Sequence, residues 1–252
     1  MKKIIALSLV LVLAFACVLT SCTKGGNKLD SSALDDLIVD KDAETENGDM
    51  YSFELVDNET VVITEYKGSH ELHEVVVPTK LVVDAKPDGY TVVGIDAKAF
   101  YYDVSITKIT IPEGVTYIGD YAFAGCSSLK SIVLPSTLTS VGNYAFYACN
   151  ALESIDLPVN VETIGDGAFT DCTALKTVGF PTALKTIGKG AFRKCVALEE
   201  VTIKSTALES IGVEAFYDCA ALKEVLLPSA VKEKLGSNAF TNCHDELGVW
   251  YE

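Results

Sequence analysis

The sequence predicts a solenoid, in which stacked structural units bury one continuous core between them. An Ala-Phe pair recurs along most of the chain, and its phenylalanines are separated by steps of 23, 23, 23, 23, 24 and 24 residues. A cysteine follows three residues after each of these phenylalanines from Phe123 onward. A fixed period in this range is typical of repeated units that each contact only their neighbours, and the phenylalanines from Phe123 to Phe216 are expected to form one continuous buried stack. The phenylalanines are Phe100, Phe123, Phe146, Phe169, Phe192, Phe216 and Phe240, and the cysteines are Cys126, Cys149, Cys172, Cys195, Cys219 and Cys243.

The repeating pattern L-x-x-I-x-L-P-x-x-L-x-x-I-G-x-x-A-F-x-x-C also predicts local structure. Its alternating I-x-L step is typical of a strand, so stacked units should form a parallel sheet with strands about 4.8 Å apart. Proline then ends the strand, where a missing N–H donor costs least. The segment around the Ala-Phe pair is long enough for about one helical turn, so short helical or irregular turns are expected on the return side. Full units begin at Ile106, Leu129, Leu152, Leu175, Leu198 and Leu222.

A glycine repeats four residues before each phenylalanine from Phe123 onward. Glycine adopts backbone dihedral angles that other residues avoid. We therefore expect a tight corner with unusual dihedral angles at each of these positions. The glycines are Gly119, Gly142, Gly165, Gly188, Gly212 and Gly236.

This pattern resembles the BspA-type leucine-rich repeat of bacterial surface proteins, over roughly residues 72–252. The residues 129–149 match it most clearly, as LKSIVLPSTLTSVGNYAFYAC. The pattern departs from the commonest leucine-rich consensus, because no asparagine ladder follows the strand: the equivalent positions hold Thr137, Asn160 and Ala183. The resemblance implies a leucine-rich repeat solenoid at the cell surface that binds other molecules and is not an enzyme.

Residues 1–21 are predicted to be a signal peptide. Two lysines precede an apolar run at residues 4–19, which is too short for a comfortable membrane span. The LTSC sequence that ends at Cys22 resembles the bacterial lipobox, and this resemblance implies cleavage before Cys22 and lipid attached to it. The alternative is an ordinary secretory signal with a chance cysteine.

Residues 22–50 are predicted to form a lipidated acidic tether. They hold eight acidic residues against three lysines and few large apolar groups. Such a segment cannot bury enough surface to offset the entropy lost on ordering. The run at residues 40–44 is faintly similar to a calcium-binding loop, but it lacks the glycine required at the sixth position, so no calcium site is expected.

Residues 51–105 are predicted to hold an N-terminal cap and a first, irregular repeat. Alternating apolar residues on either side of Asp57-Asn58-Glu59 predict a β-hairpin, which would cover the core of the first coil. The repeat frame begins at residues 72–78, and additional residues around 86–89 predict a protruding loop.

Residues 106–252 are predicted to hold the leucine-rich repeats and a partial C-terminal strand. Two units are irregular, because Lys204 replaces the proline and residues 231–235 include one extra position. The spacing predicts a last strand at residues 248–251, with Trp250 expected to cover the open end.

Composition and motifs exclude several functions. The net charge of −15 leaves no basic stripe to neutralise phosphates, so nucleic acid is not an expected partner. No catalytic triad order, phosphate-binding loop or dinucleotide motif is present. The residues 70–73 fall one position short of the H-E-x-x-H zinc pattern, and on a strand residues three apart face opposite sides, so no metal site is expected.

The six repeat cysteines are expected to be buried free thiols. An exported chain with an even number of cysteines would ordinarily suggest disulfides. Here each cysteine repeats in phase with inward apolar positions, which indicates a small core residue. Parallel Cβ vectors in neighbouring coils also fit disulfide geometry poorly.

Two functions are compatible with these features. The first is a cell-surface anchored, non-catalytic repeat protein for adhesion or protein–protein interaction, whose partner would be a protein or a surface glycan. The second is a structural or accessory envelope lipoprotein that assembles or spaces other surface components. Neither requires a cofactor, and both contact the membrane through the N-terminal lipid alone.

The predicted binding surface lies on the Ala-Phe side of the N-terminal half. Outward strand positions carry mostly small, varied side chains, whereas tyrosines flank the phenylalanine in three consecutive units. Tyrosine supplies large contact area at low entropic cost and is common at recognition surfaces. The alternative is that these rings only cover the phenylalanine core. The candidate binding residues are Tyr101, Tyr102, Tyr121, Tyr144 and Tyr147, the last two being spaced as neighbours on a helical turn.

The lipidation hypothesis can be tested by Cys22→Ser. Without the thiol that accepts lipid, the protein should leave the membrane fraction or retain its signal peptide. The measurement is fractionation of cells, followed by gel migration of the mutant beside the parent. A mutant that fractionates and migrates like the parent would contradict the assignment of Cys22 as the anchor.

Overall fold

The computed structural model describes residues 51–68, 73–83 and 86–252, and in this range the chain is a solenoid of about seven stacked coils of roughly 24 residues. Cys22, the tether, residues 40–44 and residues 69–72 lie outside the described residues. The strands are β1 (Tyr51–Leu55), β2 (Thr60–Tyr66), β3 (Glu74–Val76), β4 (Lys80–Val83), β5 (Lys86–Ile95), β6 (Lys108–Thr110), β7 (Tyr117–Ile118), β8 (Ser131–Val133), β9 (Ser140–Val141), β10 (Ser154–Asp156), β11 (Thr163–Ile164), β12 (Thr177–Gly179), β13 (Thr186–Ile187), β14 (Glu200–Thr202), β15 (Ser210–Ile211), β16 (Glu224–Leu227) and β17 (Gly248–Tyr251).

The predicted parallel sheet forms from the I-x-L step of each unit and is hereafter the strand face. It comprises β3-β6-β8, β10-β12 and β14-β16-β17, all paired in parallel. Backbone hydrogen bonds continue between these groups, as where Glu153 N–H donates to the Lys130 carbonyl at 3.4 Å. The middle residue of each strand, such as Ile155 or Val201, points into the core. The alternation read from the sequence is therefore confirmed.

A second parallel sheet, which the sequence pattern did not predict, lies just before the repeated glycine. It consists of the two-residue strands β7, β9, β11, β13 and β15, which pair with one another in that order, and β7 also pairs with β5. Their second residues, such as Ile164 and Ile187, are 1% exposed. The I-G step of the repeat is thus a short strand that ends at the glycine.

The N-terminal cap is a β-hairpin, as predicted. Strands β1 and β2 pair antiparallel, and Phe53 lies opposite Ile63. The expected protruding loop around residues 86–89 is wrong, because those residues begin β5, which pairs antiparallel with β4. The same strand β5 then pairs in parallel with β2 and β7, so it joins the cap to the coils.

The return turns are irregular, which is one of the two expected forms, and in the part of the chain that the structure describes they contain no helical turn. The only helical segment in the described residues is a 3-10 helix at Ser229–Lys234, which accommodates the extra position of that unit. We call the turn face the seven segments around the phenylalanines: residues 98–102, 121–125, 144–148, 167–171, 190–194, 214–218 and 238–242.

Two residues of every segment of the turn face have left-handed backbone angles. The residue two before the phenylalanine has φ between 54° and 63°, and the residue two after it has φ between 56° and 79°. Such angles strain any residue other than glycine by about 1–2 kcal/mol. The first set is Lys98, Tyr121, Tyr144, Gly167, Gly190, Glu214 and Asn238, and the second is Tyr102, Gly125, Ala148, Asp171, Lys194, Asp218 and Asn242.

These backbone angles let every second amide of the turn face reach the next coil. The N–H groups of Tyr144, Phe146 and Ala148 donate to carbonyl oxygens of the following coil at 2.8, 2.7 and 2.9 Å. The amides between them donate three residues back within their own coil, at 3.1–3.4 Å. All five N–H groups are thereby satisfied, as buried backbone requires. The turn face is consequently a hydrogen-bonded wall rather than a set of separate loops.

The repeated glycines serve close packing, not the unusual dihedral angles expected from the sequence. None of the six lies among the described residues with positive φ. A methyl group at Gly165 would instead lie 2.5 Å from the carbonyl carbon of Gly142 and 2.6 Å from the nitrogen of Asn143. The glycine corners of successive coils therefore stack backbone on backbone, and no side chain fits between them.

The phenylalanines form a continuous buried stack, as predicted. Successive rings from Phe100 to Phe240 have centroids 4.9–5.4 Å apart and interplanar angles of 4–15°. Tyr66 of the cap continues the stack, 5.2 Å from Phe100. The six rings from Phe100 to Phe216 are at most 2% exposed.

Five of the six repeat cysteines are buried free thiols, as expected, whereas Cys243 in the last coil is a free thiol that is only partly buried. Each thiol donates to the carbonyl oxygen of the phenylalanine in the preceding coil, as Cys149 Sγ does to Phe123 at 3.2 Å. The same contact repeats at 3.0–3.2 Å in the other coils. Burial raises the pKa of Cys126 and Cys172 to about 12, which keeps these thiols neutral and unreactive near pH 7.

The C-terminal strand forms as predicted, but Trp250 does not cover the open end. Strand β17 pairs in parallel with β16. Val249 and Tyr251 pack against the core, whereas Trp250 lies on the outer row and is 63% exposed. The physical reason is strand alternation, which points Trp250 to the opposite side from its two neighbours.

The two roles found for glycine and for left-handed residues give a paired test. Gly165→Ala should destabilise the fold by about 1–3 kcal/mol or more, because its methyl group meets backbone that cannot move aside. Ala148→Gly should stabilise it by about 0.5–1 kcal/mol, because it relieves a left-handed alanine. Denaturant unfolding measures both. A harmless Gly165→Ala would contradict the packing role, and a destabilising Ala148→Gly would contradict the strain.

Candidate functional site

The structure places all five sequence-predicted tyrosines on the N-terminal half of the turn face. Their ring contacts divide them into two groups, one in the first coil and one spanning the next two. The first group is Tyr101 and Tyr102, and the second is Tyr121, Tyr144 and Tyr147.

The first group is the more exposed of the two. Tyr101 and Tyr102 meet edge to face at 4.6 Å and are 48% and 59% exposed. The ring of Tyr102 lies over Gly125 of the next coil, where a Cβ atom would come within 2.9 Å of it. The ammonium group of Lys98 lies 5.8 Å from the centre of the Tyr101 ring. The Tyr102 ring therefore packs on the backbone of the next coil, and the Tyr101 ring makes a cation–π contact with Lys98.

The second group is a short aromatic stack on the surface. Tyr121 and Tyr144 stack at 5.0 Å with an interplanar angle of 13°, and Tyr147 meets Tyr144 edge to face at 6.2 Å. Tyr144 also lies over Gly167, the left-handed glycine of the following coil. The expected proximity of Tyr144 and Tyr147 is confirmed, although they are joined by an irregular turn and not by a helix.

Burial of the phenylalanine core does not depend on these tyrosines. The turns around Phe169 and Phe192 carry glycine two residues before the phenylalanine and Thr170 or Arg193 after it. Nevertheless both phenylalanines are 0% exposed, as is Phe146, which the tyrosines flank. The backbone wall and the neighbouring rings are thus sufficient to cover the core, and the tyrosines add aromatic surface outside it.

A ladder of polar side chains, which sequence reasoning missed, runs beside the tyrosines. Asp120 Oδ1 accepts the N–H of Asn143 at 2.7 Å, Asn143 Oδ1 accepts that of Asp166 at 2.8 Å, and Asp166 Oδ1 accepts that of Lys189 at 2.7 Å. The signal was available in the sequence, because Asp, Asn and Asp follow the repeated glycine in three successive units. The ladder fixes exposed carboxylates at the edge of the tyrosine surface.

A second arrangement missed from the sequence lies on the C-terminal half of the turn face. The guanidinium carbon of Arg193 lies 5.2 Å from the centre of the Tyr217 ring, and its Nη1 lies 3.4 Å from Glu214 Oε2. Arg193 belongs to one coil, and Glu214 and Tyr217 belong to the next. This surface can therefore hold a guanidinium group between a ring and a carboxylate.

The strand face offers fewer anchors for a partner. Its central outward row runs through Thr110, Val133, Asp156, Gly179 and Thr202. Exposed apolar side chains occur at its ends and middle, at Val76, Val133 and Trp250. These are separated along the stack and do not form one patch.

Other features of the described residues offer little chemistry. In the described ranges no three His, Cys, Asp or Glu side chains are placed to hold a metal ion. His73 Nδ1 lies 3.2 Å from the carbonyl oxygen of Ser105. An open depression of about 330 Å³ is lined by Asp171, Lys194, Asp218 and neighbours. Within the same described residues, no helix has both the length and the apolar character needed to cross a membrane.

Comparison with known proteins agrees with this architecture. The family model described as BspA type Leucine rich repeat region matches in six copies, over residues 93–208 and 185–247. No curated protein matches the chain.

Two solved structures illustrate the similarity. The T. pallidum leucine-rich repeat protein TpLRR is 31% identical, with a TM-score of 0.66 over 79% of this chain and 88% of that one. The pneumococcal vaccine antigen PcpA is 24% identical, with a TM-score of 0.55 over 81% of this chain and 48% of that one. The present chain therefore spans about half the length of PcpA, and the similarity shows a shared fold alone. The repeat pattern, the coil architecture and the family match agree, and the chain belongs to the BspA-type leucine-rich repeat family.

Proposed function

We propose that the chain is a non-catalytic cell-surface protein that binds a protein or a surface glycan through the tyrosines of its turn face. It is exported, and lipid on Cys22 anchors it to the envelope, with the acidic residues 22–50 spacing the solenoid from the membrane. The repeats supply a rigid display surface, which is the usual role of stacked units of this kind.

One observation carries this proposal: the tyrosines are not needed to bury the phenylalanine core. Phe169 and Phe192 are as fully buried as Phe146 although their turns lack the tyrosines. Moreover, Tyr121 and Tyr144 occupy left-handed positions, where glycine would be less strained. Partly exposed rings at strained positions are better explained by recognition than by stability.

The test converts the second tyrosine group to residues that the next coil already uses. In the triple variant Tyr121→Gly, Tyr144→Gly and Tyr147→Thr, the new residues match Gly167 and Thr170 of the following turn. We expect its melting temperature to stay within a few degrees of the parent, because the left-handed strain falls while the core remains covered. Binding to immobilised host matrix proteins should fall at least tenfold.

Val133→Thr on the strand face is the matched control, since threonine already occupies that row at Thr110 and Thr202. It should leave binding unchanged. A triple variant that melts like the parent and binds equally well would overturn the tyrosine site. A variant that unfolds would instead show that the rings are packing.

The same assay separates the two functional classes. Binding of the parent to host matrix proteins supports adhesion. Binding confined to the envelope fraction of its own cells supports the alternative, an accessory lipoprotein that assembles other surface components.

A further inference from the structure

We infer that the tyrosine surface takes an arginine-bearing segment of a partner protein, whose guanidinium group lies on Tyr147. This inference rests on the proposed function and names the chemistry of the partner at the same surface. Its starting point is the contact of Arg193 with Tyr217, whose ring position recurs elsewhere in the solenoid without the arginine and without the carboxylate of Glu214.

Arg193 follows Phe192 directly, and Tyr217 follows Phe216 directly. The two side chains therefore occupy the same position in successive coils, and the guanidinium group lies 5.2 Å from the ring centre. Glu214, two residues before Phe216, adds a carboxylate 3.4 Å from Nη1.

The same pair of positions recurs around Phe123 and Phe146. Tyr147 occupies the position of Tyr217, but the buried Ala124 occupies the position of Arg193. The position of Glu214 is held by Tyr144, so the carboxylates must come from other residues of these turns. In the part of the chain that the structure describes, cations lie over the rings of Tyr101, Tyr217 and Tyr251, and none over Tyr147. The ring of Tyr147 thus lacks the cation that its equivalent holds.

Charge on this half of the turn face also favours a cationic partner. The turns at residues 96–103, 119–126, 142–149 and 165–172 hold five aspartates and one lysine, Lys98. Asp120 and Asp166 are exposed, and backbone amides of the next coil hold their carboxylates in place. Fixed negative charge beside aromatic rings attracts a guanidinium group by ionic and cation–π contact together.

An acidic or neutral partner fits this surface less well. An acidic segment would meet the aspartates of these turns, of which Asp171 is already paired with Lys194 of the next coil at 3.9 Å. A neutral glycan could stack on the rings but would gain nothing from the carboxylates. Arginine uses both, because its planar group can lie on a ring while its N–H groups reach an acid.

The decisive experiment supplies the missing arginine from within the chain. The full chain is titrated with a fluorescent hexa-arginine peptide at physiological salt, and binding is followed by anisotropy. Ala124→Arg should weaken binding about fivefold or more, because its own side chain would occupy the Tyr147 ring. Tyr147→Leu should weaken it similarly, and Tyr147→Phe should bind like the parent, since the ring is kept.

Val133→Arg is the matched control, because it adds the same single charge on the strand face. It should change binding less than twofold. Equal weakening by Ala124→Arg and Val133→Arg would overturn the inference, since binding would then reflect net charge alone. If Ala124→Arg does not fold, the comparison of Tyr147→Leu with Tyr147→Phe decides, and equal affinity for those two would also overturn it.

Failure here is distinguishable from failure of the proposed function. Matrix proteins could lose affinity for the tyrosine triple variant and yet bind Ala124→Arg like the parent. The tyrosine surface would then stand, and its arginine chemistry would be wrong.

Discussion

Face-to-face contact between phenylalanine rings of successive coils sets the geometry of this solenoid. The ring spacing of 4.9–5.4 Å is close to the spacing of about 4.8 Å between neighbouring strands, so one ring fits each coil without tilting the sheets. Each ring therefore fixes the distance at which the backbone on both sides can form hydrogen bonds. Extra residues are accommodated away from the stack, as in the 3-10 helix Ser229–Lys234.

The wall of the turn face follows from the same stack. The phenylalanine amides donate to the alanine carbonyl of the next coil at 2.7–2.8 Å, and the buried cysteine thiols donate to the phenylalanine carbonyls. Left-handed residues on either side of each phenylalanine complete the hydrogen bonding. Because backbone atoms make most of these hydrogen bonds, the outward side chains are free to vary. They range from glycine to tyrosine, arginine and glutamate. The outer surface of the turn face can therefore differ from coil to coil while the fold stays the same.

The sequence was sufficient for the coil, the ring stack, the thiols, the cap hairpin and the last strand, because each depends on residues that recur in phase or alternate. It was misleading where one residue type has two physical uses. The repeated glycines such as Gly165 looked like sites of unusual dihedral angles, but they are points of backbone contact. The left-handed backbone angles instead occur at positions such as Tyr144 and Ala148, where the residue type differs from coil to coil. Because no residue type recurs there, the sequence pattern did not reveal these positions.

The candidate site was only partly predictable for a related reason. Tyrosine content located the surface, but contacts between side chains of different coils depend on the rise and twist of the stack. The Arg193–Tyr217 contact depends on that geometry, whereas the ladder at Asp120 and Asn143 had a signal in the sequence that was missed. Likewise Trp250 was assigned to the open end although strand alternation places it outside.

The most direct test of the dependence on the ring stack is the free energy of unfolding of Phe169→Ala compared with Phe180→Ala. Phe169 stacks on rings in both neighbouring coils and is 0% exposed, whereas Phe180 is half-buried and makes one edge contact with Phe192 at 5.5 Å. A loss of about 3–5 kcal/mol is expected for Phe169→Ala, and a clearly smaller loss for Phe180→Ala. Equal losses, or an unchanged unfolding curve for Phe169→Ala, would contradict the claim that the stack holds the coils together.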